Sequence, residues 1–345
     1  TWSGLVAFVL YGTAGAALVI PWVQRAALDA AAAGTTVDHV GASFVSAVAP
    51  DVVFLLVGCS VAACAAALAE SADTGIDDNI LVPLVGGLVL AAAAAVEPGR
   101  LADTLADRGG TLVIGMGVNL ALAVAAYAAR SVDRSGAVWG WVLGTALYAL
   151  ADWRGFAMLL AFFVVGTAAT KTGYARKAAL GIAQEKGGRR GARNAFANVS
   201  AGVAFAFLAV ATPYPEAMAV ALAAAFATAA GDTVSSEIGQ AYGRTHVLIT
   251  SLRRVPPGTD GAVSLEGTLA GLLASLAVGA LGAAAGLYGA LGIALVAVAG
   301  LAGNLLESWA GAAVDGIREI DHEQVNFANT VAGGLIALAL HALVV

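Results

Sequence analysis

Apolar stretches long enough to form helices recur from one end of the chain to the other. Windows near 4–22, 50–69, 79–96, 111–130, 136–151, 155–170, 195–212, 216–240, 264–285, 287–311 and 325–344 each predict a helix. Most approach the ~20 residues that a bilayer span requires. The window at 136–151 is the shortest, and polar residues interrupt those near 231–240 and 300–311. The expected fold is all-α: a polytopic transmembrane helix bundle of about 10–11 spans with polar loops on its cytoplasmic side. Small residues at four-residue spacing, such as Gly267, Gly271 and Ser275, allow helix backbones to approach closely in lipid. The segment Leu5 to Trp22 reads as a true span, because it is too long for a signal core and no basic leader precedes it.

Composition agrees with the pattern and narrows the function. Of 345 residues, 60% are hydrophobic and only 12% charged, with a mean hydropathy of +0.85. A soluble domain carries roughly 25% charged residues. An ordinary soluble enzyme, a disordered chain and a nucleic-acid binder are therefore excluded. Cys59 and Cys64, five apart in an apolar run, form neither a metal pattern nor a disulfide framework.

The placement of charge is more informative than its sum. Of 17 Lys and Arg residues, seven fall between Lys171 and Arg193 and three between Arg244 and Arg254. The positive-inside rule puts both loops in the cytoplasm, so the expected setting is the cell membrane with a cytoplasmic site. Residues 1–150 are nearly featureless Ala, Val, Leu and Gly and are expected to supply transmembrane helices of unassigned role. Residues 151–345 hold almost every unusual polar residue and are expected to form a transmembrane catalytic half.

Three constellations there can carry chemistry. The first is the run Gly231-Asp232-Thr233-Val234-Ser235-Ser236-Glu237, at the end of an apolar window. An intramembrane carboxylate is costly unless paired or hydrated, which makes Asp232 and Glu237 candidate divalent-metal ligands. Five residues apart, they point ~140° apart on a straight helix, so both reach one site only if the helix breaks. In the second, Asn304, Glu307 and Ser308 share one helical face, and Glu307 supplies a carboxylate from another helix. The third is the loop from Glu185 through Lys186, Gly187, Gly188, Arg189 and Arg190 to Arg193. Its glycines free backbone N–H groups for an anion, and its guanidiniums bind phosphate oxygens in pairs. No phosphate-binding P-loop, kinase signature or histidine ligand spacing is present. Carboxylates on two helices beside a basic glycine loop fit a metal-polyphosphate at the membrane face.

A longer series of motifs carries a resemblance. It runs through Lys171-Thr-Gly, Arg176-Lys177, Leu180-Gly181, Ala183-Gln184, Gly187-Gly188-Arg189, Arg193-Asn194, Ala197-Asn198, Gly231-Asp232-Thr233, Ser236-Glu237-Ile238-Gly239, Leu248-Ile249-Thr250, Gly258-Thr259-Asp260-Gly261, Ser264, Gly267-Thr268 and Asn326. The chain thereby resembles an integral membrane family, formerly of unknown function, that includes plant phytyl-phosphate kinase and animal transmembrane protein 19. Where that family is expected to carry Gly-Ser and Asp-Ser, this chain has Gly303-Asn304 and Glu307-Ser308. The spacing of Gly231, Asp232, Ser236 and Gly239 is also similar to one in CTP-dependent dolichol and phytol kinases.

The resemblance implies a membrane kinase that converts an isoprenyl monophosphate, such as phytyl or geranylgeranyl phosphate, to the diphosphate. CTP or another nucleoside triphosphate is the implied donor, and Mg²⁺ the implied cofactor. Asp232, Glu237, Lys171 and Arg193 are the expected catalytic residues, with Asp232, Glu237 and Glu307 on the metal. Lys186, Gly187, Gly188, Arg189, Asn198, Thr233, Ser236, Thr250, Arg253, Gly258, Thr259 and Ser264 are expected around the nucleotide phosphates. Asn304, Ser308 and Asn326 are expected at the substrate. The competing expectations are a transporter or scramblase of lipid phosphates, and a polyprenol kinase or cytidylyltransferase-like enzyme.

Overall fold

A computed structural model describes residues 2–32, 57–71, 78–314 and 322–345. The chain divides into two compact units, Thr1–Pro98 and Gly99–Val345. In the first, α1 (Trp2–Ala32), α2 (Cys59–Ser71) and α3 (Asp78–Ala94) pack in sequence order. Their contacts are small residues: a Cβ on Gly12 would sit 3.2 Å from Ala63, and one on Gly86 3.3 Å from Ala66. The part of the predicted window 50–69 before residue 57, and most of the acidic link Glu70–Asp78, lie outside the described residues.

The second unit contains α4 (Pro98–Asp107), α5 (Gly109–Ala128), α6 (Arg134–Lys171), α7 (Tyr174–Ala179), α8 (Ala192–Ala211), α9 (Pro215–Tyr242), α10 (Leu265–Ala284), α11 (Ala290–Val314) and α12 (His322–Val344). A short antiparallel ladder pairs β1 (Val247–Leu248) with β2 (Ala262–Val263). α5 and the start of α6, which precede residue 150, pack inside this unit.

Among the described residues, seven helices are long and apolar enough to cross a membrane. That is fewer than the eleven predicted windows, partly because 136–151 and 155–170 belong to the single element α6. α6 is nonetheless folded back on itself. At Asp152 the backbone leaves helical geometry, with φ 51° and ψ −161°, and its Oδ1 accepts a hydrogen bond from Arg154 N at 2.7 Å. Gly136 and Gly166 both press on Arg190, although a straight helix would separate them by ~45 Å. The apolar parts of α1 and α2, Val9–Pro21 and Cys59–Glu70, are shorter than a full span.

The centre of the bundle is α9. It packs against α6, α8, α10, α11 and α12, and the stretch from Ala219 to Gly231 is buried without a break. A helix apolar all round belongs in a bundle interior, and its alanines let five neighbours approach. The closest approach is to α10. A Cβ on Gly271 would lie 2.7 Å from Gly231 O, and one on Gly231 would lie 2.6 Å from Ser275 Oγ. Neither backbone has room to retreat. Gly271→Val is therefore expected to destabilise the protein by about 1–3 kcal/mol, read as a lower melting temperature in detergent. An unchanged melting curve would show that the two helices are not locked there.

Candidate functional site

The antiparallel run of helices brings the polar termini to one end of the bundle. The two ends of α6, the C-terminal parts of α9 and α11, the N-termini of α8, α10 and α12, and the loops 181–191 and 258–264 wall a single polar cavity of about 1130 Å³.

α9 remains a continuous helix through the Asp232 region, so Asp232 and Glu237 diverge and find different partners. Asp232 meets Glu307 of α11, their carboxyl groups lying within hydrogen-bond reach of each other. Asn304, one turn earlier on α11, donates from Nδ2 to Ser235 Oγ at 2.9 Å, which ties the two helices at the level of the carboxylates. Asp260 adds charge beside Glu307. It is carried there by Gly261, whose φ is +71° and whose Cβ would collide with Ser308 O and Ala312 N, at 2.5 and 2.3 Å. Only glycine satisfies both the left-handed backbone and that close approach.

Glu237 is occupied differently. Its carboxylate forms an ion pair with Lys177 of α7, and both side chains are buried, Lys177 completely. Lys177 Nζ also donates to Thr170 O at 3.1 Å. A buried pair of this kind is held by mutual neutralisation and by hydrogen bonds to the remaining donors. Glu237 still lines the cavity, and its Oε1 is buried with no hydrogen-bond partner.

The basic loop folds over the cavity. Gly187 and Gly188 turn with φ +69° and +75°, after which Arg189, Arg190 and Arg193 line the wall. Arg190 is the most confined. Its guanidinium lies over the Phe162 ring, 5.1 Å from the centroid, and Nη1 is buried without a hydrogen-bond partner. Burial pushes its pKa down to about 10, with Glu237 and Glu323 acting in the opposite sense, so it stays charged at neutral pH. The backbone holds it in place: Arg190 N donates to Ser131 O, and Asp133 N donates to Arg190 O, each at 3.0 Å. Ser135 Oγ accepts from Ala192 N at 3.1 Å. Residues 131–135 belong to the part of the chain whose sequence argued for no site.

Most of the sequence-predicted residues line this cavity: Asp232, Glu237, Glu307, Arg189, Arg193, Gly188, Asn198, Thr233, Ser236, Gly258, Thr259, Ser264, Asn304, Ser308 and Asn326. Some are structurally committed as well. Ser264 caps α10 by accepting from Gly267 N at 3.2 Å, and Asn198 Nδ2 donates to Asn194 O at 3.0 Å. Lys171, Gly187, Thr250 and Arg253 do not line it. Lys171 is exposed at the end of α6, and Thr250 and Arg253 sit in the turn that pairs Leu248 N with Arg253 O at 3.0 Å. The side chain of Lys186 lies outside the described ones. Lys177 was not among the predicted site residues, and Arg190 entered only as a member of the basic loop, with no role of its own. His246, on the wall, is bonded through Nε2 to Gly239 O at 2.9 Å.

Among the described residues no three His, Cys, Asp or Glu side chains converge on a metal. The Asp232–Glu307 pair is nonetheless a donor set that suits Mg²⁺, which takes one or two protein carboxylates and fills its octahedron with water and substrate phosphates.

The family model described as Integral membrane protein DUF92 matches residues 117–334. An uncharacterized membrane protein of Synechocystis sp. is 41% identical over 212 residues, 59% of this chain and 82% of that protein. Protein VTE6, chloroplastic, of Arabidopsis thaliana is 37% identical over 216 residues, 61% of this chain and 65% of that protein. An uncharacterized membrane protein of Methanocaldococcus jannaschii is 31% identical over 221 residues, 64% of this chain and 90% of that protein. No solved structure matches. The matched region takes in the whole polar cavity and begins within α5.

Proposed function

This chain belongs to the integral membrane protein family DUF92, and on that premise we propose that it is a membrane kinase for isoprenyl monophosphates. The observation that carries the reading is the shared wall of one cavity: a carboxylate pair, Asp232 with Glu307, and a guanidinium set, Arg189, Arg190 and Arg193. Carboxylates that hold a divalent cation, together with fixed guanidiniums, are what transfer between two anions requires. The resemblance to the family of plant phytyl-phosphate kinase supplies the acceptor class.

In the proposed reaction a phosphate oxygen of the lipid attacks the γ-phosphorus of the nucleotide. The bond to the β-phosphate oxygen breaks, and the nucleoside diphosphate leaves. A phosphate monoester is largely a dianion at neutral pH, so the attacking oxygen carries no proton and no general base is needed. The work is to overcome the repulsion of the reactants and hold them in line. Asp232 and Glu307 would hold Mg²⁺, which neutralises charge on the transferred phosphoryl group. Arg189, Arg190 and Arg193 bind phosphate oxygens, and Thr233, Ser236 and Ser308 offer hydroxyl donors. CTP is the expected donor, and the positive-inside rule assigns the cavity to the cytoplasmic face.

A donor-by-acceptor screen on purified protein tests this. Mg²⁺, CTP and geranylgeranyl or phytyl monophosphate are expected to yield the lipid diphosphate and a nucleoside diphosphate. Folded protein that transfers phosphate from no nucleotide to any prenyl phosphate would sink the proposal.

A further inference from the structure

Beside the polar cavity lies a second, apolar one of about 110 Å³, between α5, both halves of α6, and α8. Its walls include Leu122, Gly140, Leu143, Leu160, Phe163 and Val199. It adjoins the polar cavity across a shared wall, because Phe162, Arg190, Gly191 and Asn194 line both. At that junction the buried Arg190 Nη1 has no hydrogen-bond partner, and buried donors are rarely left unpaired without a ligand to answer them. Leu122 and Leu160 are exposed on the bundle surface, so the groove opens there and ends against the residues that also wall the polar site.

We propose that the isoprenoid chain of the acceptor lies in this groove, with its phosphate held at the mouth by Arg190. The inference rests on the prenyl-phosphate reading above and deepens it by locating the acceptor. An amphiphile needs an apolar slot ending at a cationic donor, and this junction provides both within one residue's reach. The slot encloses the phosphate-proximal part of the chain and leaves the remainder to the bilayer. The other side of the polar cavity, toward Asp232 and Glu307, is then left for the nucleotide.

Gly140 makes the proposal testable without disturbing the fold. It lies one helical turn beyond Gly136, which packs on the Arg190 carbonyl, and a Cβ added at Gly140 meets nothing within 4 Å. Because Gly140 lines the slot, a large side chain there is expected to take up part of its volume. Gly140→Phe is expected to lower the ratio of kcat/KM for geranylgeranyl over dimethylallyl monophosphate on the order of tenfold, with Gly140→Ala close to wild type. In parallel, farnesyl monophosphate bearing a diazirine near the phosphate end is photolysed on the protein in vesicles. Labels are expected on 119–126, 156–163 or 194–199, and excess geranylgeranyl monophosphate should suppress them. Competed labelling there without any phosphate transfer would uphold the groove and refute the kinase reading. Labels confined to α9–α12, with an unchanged chain-length ratio in Gly140→Phe, would overturn the groove.

Discussion

Replacing Lys177 with methionine is expected to destabilise the protein by about 3–5 kcal/mol. The methionine fills the volume, but the Glu237 carboxylate remains buried without its counter-charge. Thr170 O loses its donor at the same time. The penalty comes from a buried charge left without a counter-charge, so removing that charge should restore most of it. Lys177→Met combined with Glu237→Gln is expected to recover well over half of the loss in a denaturant or thermal unfolding series. If the double variant is no more stable than Lys177→Met alone, the pair is not what holds α7 against α9. Glu237 would then be free for the metal role that its sequence position had suggested.

The second large effect is on catalysis. Asp232→Asn is expected to lower the rate of phosphoryl transfer by about 10²–10³-fold, the scale seen when one preorganised electrostatic contact to a transition state is removed. Its stability should move the other way. Asp232 and Glu307 repel when both are ionised, so an amide at one position removes that repulsion, and the melting temperature measured without added Mg²⁺ should hold or rise. Loss of activity without loss of stability separates a functional carboxylate from a structural one. Glu307→Gln should behave alike, and either variant should need a higher Mg²⁺ concentration for half-maximal rate. Full activity in Asp232→Asn would remove the metal assignment while leaving the kinase reading in place.

What the sequence could and could not convey follows from where each signal resides. Helices were legible because a lipid-spanning segment advertises itself by local apolar length alone. The fold-back of α6 was legible too, as a gap between the windows 136–151 and 155–170 around Asp152. The divergence of Asp232 and Glu237 followed from helical periodicity, but the partner of each did not. Whether a carboxylate meets Glu307 or Lys177 depends on packing between helices distant in sequence. Lys177 looked like an ordinary loop cation, and nothing set Arg190 apart from the other guanidiniums of its loop, because basic residues in short loops are normally solvated. Their burial arises only when α7 tucks against α9 and when the folded α6 slides Phe162 beneath Arg190. Lys171 and Thr250 belong to the motif series and Arg253 was an expected phosphate ligand, yet all three sit off the cavity, where Arg253 serves a turn through its backbone carbonyl. Ser131, Asp133 and Ser135 gave no signal because they hold the basic loop by backbone and short polar contacts, which leave no compositional trace.

In the proposed reaction the cavity transfers a terminal phosphate to a prenyl phosphate. Its most direct test uses CTP labelled in the γ-phosphate, geranylgeranyl monophosphate, Mg²⁺ and the protein in lipid vesicles, followed by separation of lipid and aqueous products. The label is expected in the lipid diphosphate, with unlabelled CDP in the aqueous phase. Label released as pyrophosphate, or label retained in the nucleotide with every donor supplied, would contradict it.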